Sequence, residues 1–217
     1  MQRRMPSPVP VLVALGLWAS APYCWAGWNE GVLAFQRGDY PTALREFRLA
    51  ADQGDASAQF NLGTMYDNGQ GVPQDYAQAM QWYRRAANQG EPRAQTNLGS
   101  MYDNGLRVPP NYAQAVQWYR RAAEQGAPPA QFNFGLMYAY GKGVPQDYVQ
   151  AYGWLNLAAA SLAPGADRET AVGARDQLAA RLTPACVFHG CLPPNPWEGW
   201  LLATLCDDVE MGHPPIS

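Results

Sequence analysis

The stretch Ala58–Gly69, AQFNLGTMYDNG, decides the fold, because it recurs twice at a fixed offset. It returns as AQTNLGSMYDNG at 94–105 and as AQFNFGLMYAYG at 130–141. The start moves from 58 to 94 and from 94 to 130, a shift of 36 residues each time. Self-similarity at such a period is the signature of a repeat protein, in which each unit packs against its neighbours.

Each unit predicts two helices joined by a glycine-containing turn. In the first unit we expect a helix from about Ala56 to Asp67, capped by Asp55, because a carboxylate accepts from N–H groups that the helix leaves unpaired. A second helix is expected over 75–88, since its apolar residues fall on one helical face. Those residues are Tyr76, Ala79, Tyr83 and Ala86.

Glycines and prolines stand at fixed places in these helices. Gly63, Gly99 and Gly135 lie inside the first helices, where glycine costs about 1 kcal/mol relative to alanine. A helix accepts that cost where a side chain would block a close neighbour, so we expect tight helix packing at all three. Pro92 and Pro128 stand where the next first helices should begin, a position that favours proline.

The repeats resemble the Sel1-like repeat family, a relative of the tetratricopeptide repeats. The resemblance rests on AQ-x-N-L-G-x-M-Y-x-x-G-x-G-V-P-x-D-Y-x-x-A-x-x-W-Y-x-x-AA-x-x-G, which three units match between Asp55 and about Ala160. It implies an all-α fold, an α/α right-handed superhelical solenoid of Sel1-like or tetratricopeptide-type hairpins. It also implies binding or assembly of other proteins, without naming a partner.

The repeat pattern divides the chain into segments. From the N-terminus, these are a signal peptide at 1–26, a tetratricopeptide-like first hairpin at 27–54, repeat 1 at 55–90, repeat 2 at 91–126, repeat 3 at 127–162, a terminal helix region at 163–184 and an irregular tail at 185–217. In the terminal region a helix is expected from Ala166 to Arg181. Thr183 and Pro184 would begin another, which the following residues do not continue, so we expect an incompletely closed end and weak self-association.

Residues 1–26 predict export to the periplasm or secretion. Arg3 and Arg4 precede an apolar run, Val9–Ala19, that is too short to span a bilayer but fits the core of a secretory signal. Cleavage is expected after Ala26, with no stable membrane insertion afterwards; the alternative is a retained N-terminal anchor. The net charge of -3, with no basic block, disfavours nucleic acid as a partner.

The tail differs in composition from the repeats. It holds both histidines and three of the four cysteines. It is either a frameshifted or otherwise replaced C-terminus, or a genuine, poorly ordered one. Cys186, Cys191 and Cys206 could form a disulfide or be incidental, and with His189 their spacing matches no common zinc site. We predict no metal and no cofactor.

Catalysis is not expected, because no repeat carries a histidine to activate a serine or cysteine nucleophile. The leading prediction is a non-catalytic protein- or peptide-binding scaffold of the cell envelope. Two alternatives stay open: a cell-envelope hydrolase related to β-lactam or peptidoglycan chemistry, and a structural assembly subunit. Cysteine-rich members of the family are linked to β-lactams, but the cysteine pair that they carry in each repeat is absent here.

The resemblance places a binding site on the concave face, which the first helix of each unit lines. Because Leu62 and Gly63 must face the partner helix, neighbouring side chains point to the groove. The predicted polar row is Asn61, Thr64, Asn68, Asn97, Ser100, Asn104 and Asn133, and it continues as Leu136 and Tyr140. Phe60, Thr96 and Phe132 lie beside this row, where the phenylalanines could supply apolar pockets.

Asparagine both donates and accepts hydrogen bonds, so the row could hold an extended peptide backbone. The alternative is that the asparagines tie adjacent repeats together. Trp82, Trp118 and Trp154 occupy equivalent positions, and packing between units is favoured there over an aromatic ladder for a ligand.

Overall fold

The computed structural model describes residues 21–105 and 109–182, with side chains from residue 29 onward. These residues form nine α-helices and no strand. The helices are α1 Ala21–Gln36, α2 Tyr40–Asp52, α3 Ala56–Asn68, α4 Tyr76–Asn88, α5 Pro92–Asn104, α6 Tyr112–Glu124, α7 Pro128–Tyr140, α8 Tyr148–Ser161 and α9 Ala166–Ala179. Each helix packs against the next along the chain, so the predicted all-α helical repeat fold is confirmed.

Two predicted regions lie outside the described residues: most of the signal peptide, residues 1–20, and the tail from residue 183 with its cysteines and histidines. Helix α1 begins at Ala21 and therefore runs through the expected cleavage site at Ala26.

Local sequence signals explain the helix ends. The Asp55 carboxylate accepts a hydrogen bond from the Ala58 N–H at 2.7 Å and caps α3, which Gly69 ends in the left-handed conformation at φ 69°. Pro92 and Pro128 are the first residues of α5 and α7, as predicted. The remaining differences are small: α3 extends to Asn68, and α9 ends before Arg181.

The internal glycines lie at close helix crossings, as predicted. A Cβ atom on Gly63 would lie 2.7 Å from Cδ1 of Tyr83, and one on Gly99 would lie 2.5 Å from Cδ1 of Tyr119. At Gly135 the nearest atom is Cγ of Leu155, at 3.0 Å. These contacts are below normal van der Waals separation, so the second helix of each repeat packs directly on the glycine backbone.

The three tryptophans pack in the core between units. Trp82 is buried with Ala58 and Leu62, and the Trp154 ring packs at a tilt with its centroid 5.1 Å from that of Phe134. Trp118 joins the cluster around Tyr83. With exposed fractions of 4–8%, all three serve packing, in agreement with the favoured interpretation.

Buried glutamines link consecutive hairpins. The side-chain amides of Gln59 and Gln95 each donate to a backbone carbonyl of the preceding helix at 3.1 Å. Their carbonyl oxygens accept from Gln89 and Gln125, respectively, at 2.8 Å. Gln131 repeats only the donation, to Ala123 at 3.3 Å.

The third link is incomplete because a serine stands where Gln89 and Gln125 stand in the earlier repeats. Continuing the shift from 89 to 125 leads to Ser161, whose side chain is too short to repeat the bond. The buried Gln131 Oε1 therefore has no hydrogen-bond partner.

Helix α9 occupies the position of the first helix of a fourth repeat, but its residues are shifted relative to the 36-residue period. Ala171 packs against Ala158 and Ala159, as Ala58 packs against Ala50 and Ala51. A strict period would put Ala166 where Ala171 lies, so α9 packs five residues late.

In this phase, Arg175 and Asp176 replace the Leu62 and Gly63 that receive a partner helix in repeat 1. They bond to each other at 2.7 Å. Helix α9 thus covers repeat 3 and turns a charged surface outward, which suits a terminal repeat. The further helix expected from Thr183 and Pro184 lies outside the described residues.

Candidate binding face

The predicted site residues lie on α3, α5 and α7, which we call the A helices; their solvent-facing side is the A-helix face. Eight of these side chains are half-buried there: Phe60, Asn61, Thr64, Asn97, Ser100, Phe132, Asn133 and Leu136. Three at the helix ends are exposed: Asn68, Asn104 and Tyr140.

The Tyr83 hydroxyl of repeat 1 lies where three helices meet. Its oxygen lies 3.3 Å from Thr64 Oγ1 and 3.2 Å from Asp67 Oδ2, both on α3, and its one hydrogen can be donated to either. Burial raises the pKa of Tyr83 well above its usual value, so the hydroxyl stays protonated. The Asn97 side chain of α5 lies close enough to this hydroxyl to lower its pKa. Asn97 therefore lies at the contact between adjacent repeats, and the choice between a structural and a ligand-binding role for it stays a prediction.

Repeat 2 conserves the same chemistry with different partners. Burial raises the pKa of the Tyr119 hydroxyl, and the nearby Ser100 side chain lowers it. Asn104 Nδ2 donates to Ser100 Oγ at 3.0 Å, while Asp103 pairs with Lys142 at 3.2 Å. Ser100 and Asn104 are thus already engaged within the protein.

Repeat 3 replaces this polar cluster with apolar side chains. Leu155 stands in place of the tyrosine, Leu136 in place of threonine or serine, and Ala139 in place of aspartate. All three pack with Leu178 of α9. Sequence reasoning noted the change at Leu136 but missed its companions, although the 36-residue offset aligns all three.

Asn61 and Asn133 differ from Asn97. Within the part of the chain that the structure describes, neither side chain makes a hydrogen bond. The residue of α2 equivalent to Tyr83 is Phe47, which offers Asn61 no hydroxyl. These two amides keep their hydrogen-bonding capacity for another molecule.

A pocket of about 240 Å³ opens between α7 and the start of α9. Its lining consists of Pro129, Phe132, Asn133, Leu162, Asp167 and Thr170. A smaller pocket of about 60 Å³ lies further along the same two helices, beside Leu136 and Tyr140. The apolar stripe Phe132, Leu136 and Tyr140 thus faces open space at both ends.

Other site types find no support in residues 21–105 and 109–182. No group of three His, Cys, Asp or Glu side chains there could hold a metal ion. None of the helices in this part combines the length and apolar character needed to cross a bilayer.

The family model for the Sel1 repeat matches residues 29–55, 56–91, 92–126 and 128–161, more than half of the chain, so the protein belongs to the Sel1 repeat family. Sel1 repeat proteins are in general protein-interaction scaffolds. A search of curated proteins gave no significant match.

Solved structures of Sel1 repeat proteins are similar to this chain. A Sel1 repeat protein from Oxalobacter formigenes is 39% identical, with a TM-score of 0.55, and the match covers 64% of this chain and 98% of that one. A protective antigen of uropathogenic Escherichia coli with the same type of fold is 25% identical, with a TM-score of 0.49, over 89% of this chain and 50% of that one.

Proposed function

We propose that this protein is a non-catalytic scaffold of the cell envelope that binds an extended segment of a partner protein along the A-helix face. The free amides of Asn61 and Asn133 carry the proposal. A half-buried amide that a partner covers must find hydrogen bonds or lose about 1–3 kcal/mol. A peptide backbone supplies the matching donor and acceptor at each residue.

The apolar stripe of repeat 3 complements these amides. Phe132 and Leu136 are half-buried and Tyr140 is 68% exposed, so a bound segment can bury apolar surface there. Backbone bonding by the amides gives affinity without reading the sequence, whereas the stripe and its pockets select side chains.

The hydrolase alternative is not favoured by any observation. The densest polar cluster, around Tyr83, lies between helices, and burial keeps its hydroxyl protonated by raising the pKa. Tyr83 is only 1% exposed, so a substrate cannot reach this hydroxyl, although the Asp67 carboxylate lies beside it. Its bonds to Thr64 and Asp67 instead hold α3 against α4.

Export is part of the proposal and rests on the predicted signal peptide. Cleavage after Ala26 would leave residues 27–36 of α1, which include the buried Ala34 and the Gly31 contact with Phe47. The first hairpin would keep its packing. N-terminal sequencing of the exported protein should begin at Gly27, and an intact Met1 on a cytoplasmic product would contradict export.

The binding proposal is tested by selecting random short peptides on the full chain and measuring their affinity for variants. We expect Asn61→Ala and Asn133→Ala each to weaken binding, by up to about tenfold, or 1.4 kcal/mol, while Tm stays unchanged. Asn88→Ala, at an exposed end of α4, is the matched control. Unchanged affinity in both test variants, or no selected peptide, would contradict the proposal.

A further inference from the structure

Repeat 1 contains an occupied cation site on an aromatic ring. The guanidinium carbon of Arg93 lies 4.5 Å from the centroid of the Phe60 ring. Arg93 Nε also donates to Glu91 Oε1 at 2.7 Å. Glu91 caps α5 and Arg93 is its second residue. The ring of Phe60 on one A helix thus contacts a cation on the next A helix, and a carboxylate at the start of that helix holds the cation in place.

Repeat 3 has the same ring without the cation. Phe132 is the equivalent of Phe60, but α9, packed five residues late, has Thr170 in the place of Arg93. Asp167, the second residue of α9, lies one turn before it. Among the described residues, no cation lies over the Phe132 ring and no basic side chain pairs with Asp167. The Phe132 ring instead lines the 240 Å³ pocket between α7 and the start of α9.

The polar groups of this pocket can all accept hydrogen bonds. Asp167 supplies a carboxylate and Asn133 a free amide oxygen. The Thr170 hydroxyl donates its hydrogen to the Ala166 carbonyl at 2.8 Å, so only its lone pairs face a ligand. A group with several donors and a positive charge matches this set, and the carboxylate repels an anion.

The size and position of the pocket agree with this chemistry. Its volume falls below the 300–1,000 Å³ typical of small-molecule sites and suits a single side chain. The start of a helix is partly positive, but α9 carries Asp167 and Glu169 in its first turn. The Glu91–Arg93 pair at the start of α5 is an internal precedent for a guanidinium at such a position.

We propose that this pocket binds an arginine side chain of a partner protein, with the guanidinium over Phe132 and paired with Asp167. Arginine is favoured over lysine because its planar group stacks on a ring and donates to several acceptors at once. The chain's own C-terminal residues 183–217 contain no arginine, so they cannot supply this side chain. That the arginine belongs to a bound protein segment rests on the proposed function. The preference of the pocket for an arginine side chain does not depend on it.

The test is an NMR titration of the isotope-labelled full chain with N-acetyl-arginine methylamide. The matched ligand is the citrulline analogue, which has nearly the same shape but no charge. We expect saturable shifts at Phe132 and Asn133 with the arginine derivative, and at least tenfold weaker binding of the citrulline derivative. Equal binding of the two, or no saturable binding, overturns the proposal.

Two variants of α9 locate the effect. Asp167→Asn should weaken binding of the arginine derivative at least tenfold. Asp176→Asn, an exposed aspartate of the same helix that bonds Arg175 outside the pocket, should leave it unchanged. Undiminished binding to the Asp167 variant, or an equal loss in both, overturns the assignment.

Peptide selection separates this proposal from the scaffold function. Selected peptides that need Asn61 but bind Asp167→Asn as well as wild type would leave the scaffold standing and remove the arginine pocket. An arginine derivative that binds at Phe132 when no peptide is selected would leave the pocket and remove the scaffold. Dimerisation of the chain that Asp167→Asn abolishes would make a second copy the arginine donor and overturn the assignment to another protein.

Discussion

Repeats 1 and 3 follow one 36-residue pattern but stabilise the same helix crossing by opposite means. In repeat 1 a tyrosine hydroxyl bonds Thr64 and Asp67, whereas in repeat 3 Leu155 packs beside Leu136 and Ala139. The three positions change together because a buried hydroxyl without a partner costs more than an apolar contact. Variation between near-identical units therefore reflects internal packing before it reflects partner choice.

The comparison also shows how the A-helix face becomes asymmetric. Repeats 1 and 2 present hydroxyl and amide groups that mostly bond within the protein, whereas repeat 3 presents an apolar stripe beside open pockets. The residues of repeat 3 produce part of this difference, and α9 adds to it because it places no cation over Phe132, whereas Arg93 covers Phe60.

The largest expected effect lies at the glycine crossings. Gly99→Ala should destabilise the chain by about 1–3 kcal/mol, because the new Cβ would overlap the buried Tyr119 ring. Gly135→Ala should cost less, since Leu155 lies further away at 3.0 Å. Gly173→Ala in α9, with no atom within 4 Å, should instead stabilise by about 0.5–1 kcal/mol. Urea unfolding gives the three values, and an equal cost at all sites would contradict the packing described.

The polar cluster of repeat 1 should depend on its hydroxyl. Tyr83→Phe should cost about 1–3 kcal/mol, because it leaves half-buried Thr64 and Asp67 without their shared partner. Tyr140→Phe, at a position 68% exposed, should change stability by less than about 0.5 kcal/mol. If thermal unfolding shows no difference between the two, the cluster does not stabilise the crossing.

A glutamine introduced into repeat 3 should restore the hydrogen bond that Gln131 lacks. Ser161→Gln is expected to stabilise the chain by about 0.5–1.5 kcal/mol, because it supplies a donor to the buried Gln131 Oε1. The reverse change, Gln125→Ser, should lose a similar amount by leaving Gln95 Oε1 unpaired. Unfolding midpoints of both variants check this. A stability loss in Ser161→Gln would show that repeat 3 cannot form the glutamine pair of repeats 1 and 2.

A smaller effect should appear as a pH dependence at Asp67. Burial raises the pKa of Asp67 above the usual 3.8, although the bond from Tyr83 lowers it. The folded state therefore binds this proton more readily than the unfolded state. The contribution of Asp67 to stability is greatest below pH 3.8 and is lost as the pH rises through the folded-state pKa.

Asp67→Asn should consequently raise Tm relative to wild type near neutral pH, because the amide carries no charge to desolvate and still accepts from Tyr83. The difference should vanish in acid, where Asp67 is protonated. Asp52→Asn, at an exposed position, is the control. A Tm gain that persists unchanged in acid would contradict the assignment to ionisation.

The smallest change is expected from deleting residues 183–217. Helix α9 already covers repeat 3 with charged residues such as Asp176 on its outer side, so Tm should barely move. Differential scanning calorimetry of the full and shortened chains measures it. A large drop on deletion would show that the tail is the cap and that α9 alone is not.

Much of this protein could be predicted from its sequence because repetition makes local signals redundant. The 36-residue offset, the Asp55 cap, the starts at Pro92 and Pro128 and the close contact at Gly63 each depend on neighbours within one hairpin. Backbone hydrogen bonding and steric exclusion act over a few residues, so spacing alone identifies the helices and their crossings.

The tertiary structure alone decided which site residues are free. Asn61, Asn97 and Asn133 are equivalent in sequence, yet only Asn97 lies close enough to the Tyr83 hydroxyl to affect its pKa. Within the described residues, Asn61 and Asn133 have no hydrogen-bond partner. The position of α9, and with it the pocket at Phe132, likewise depends on how far the loop after α8 shifts the helix. Such contacts join residues of different hairpins, and side-chain packing between the stacked units sets their distances, which the spacing of residues along the chain does not specify.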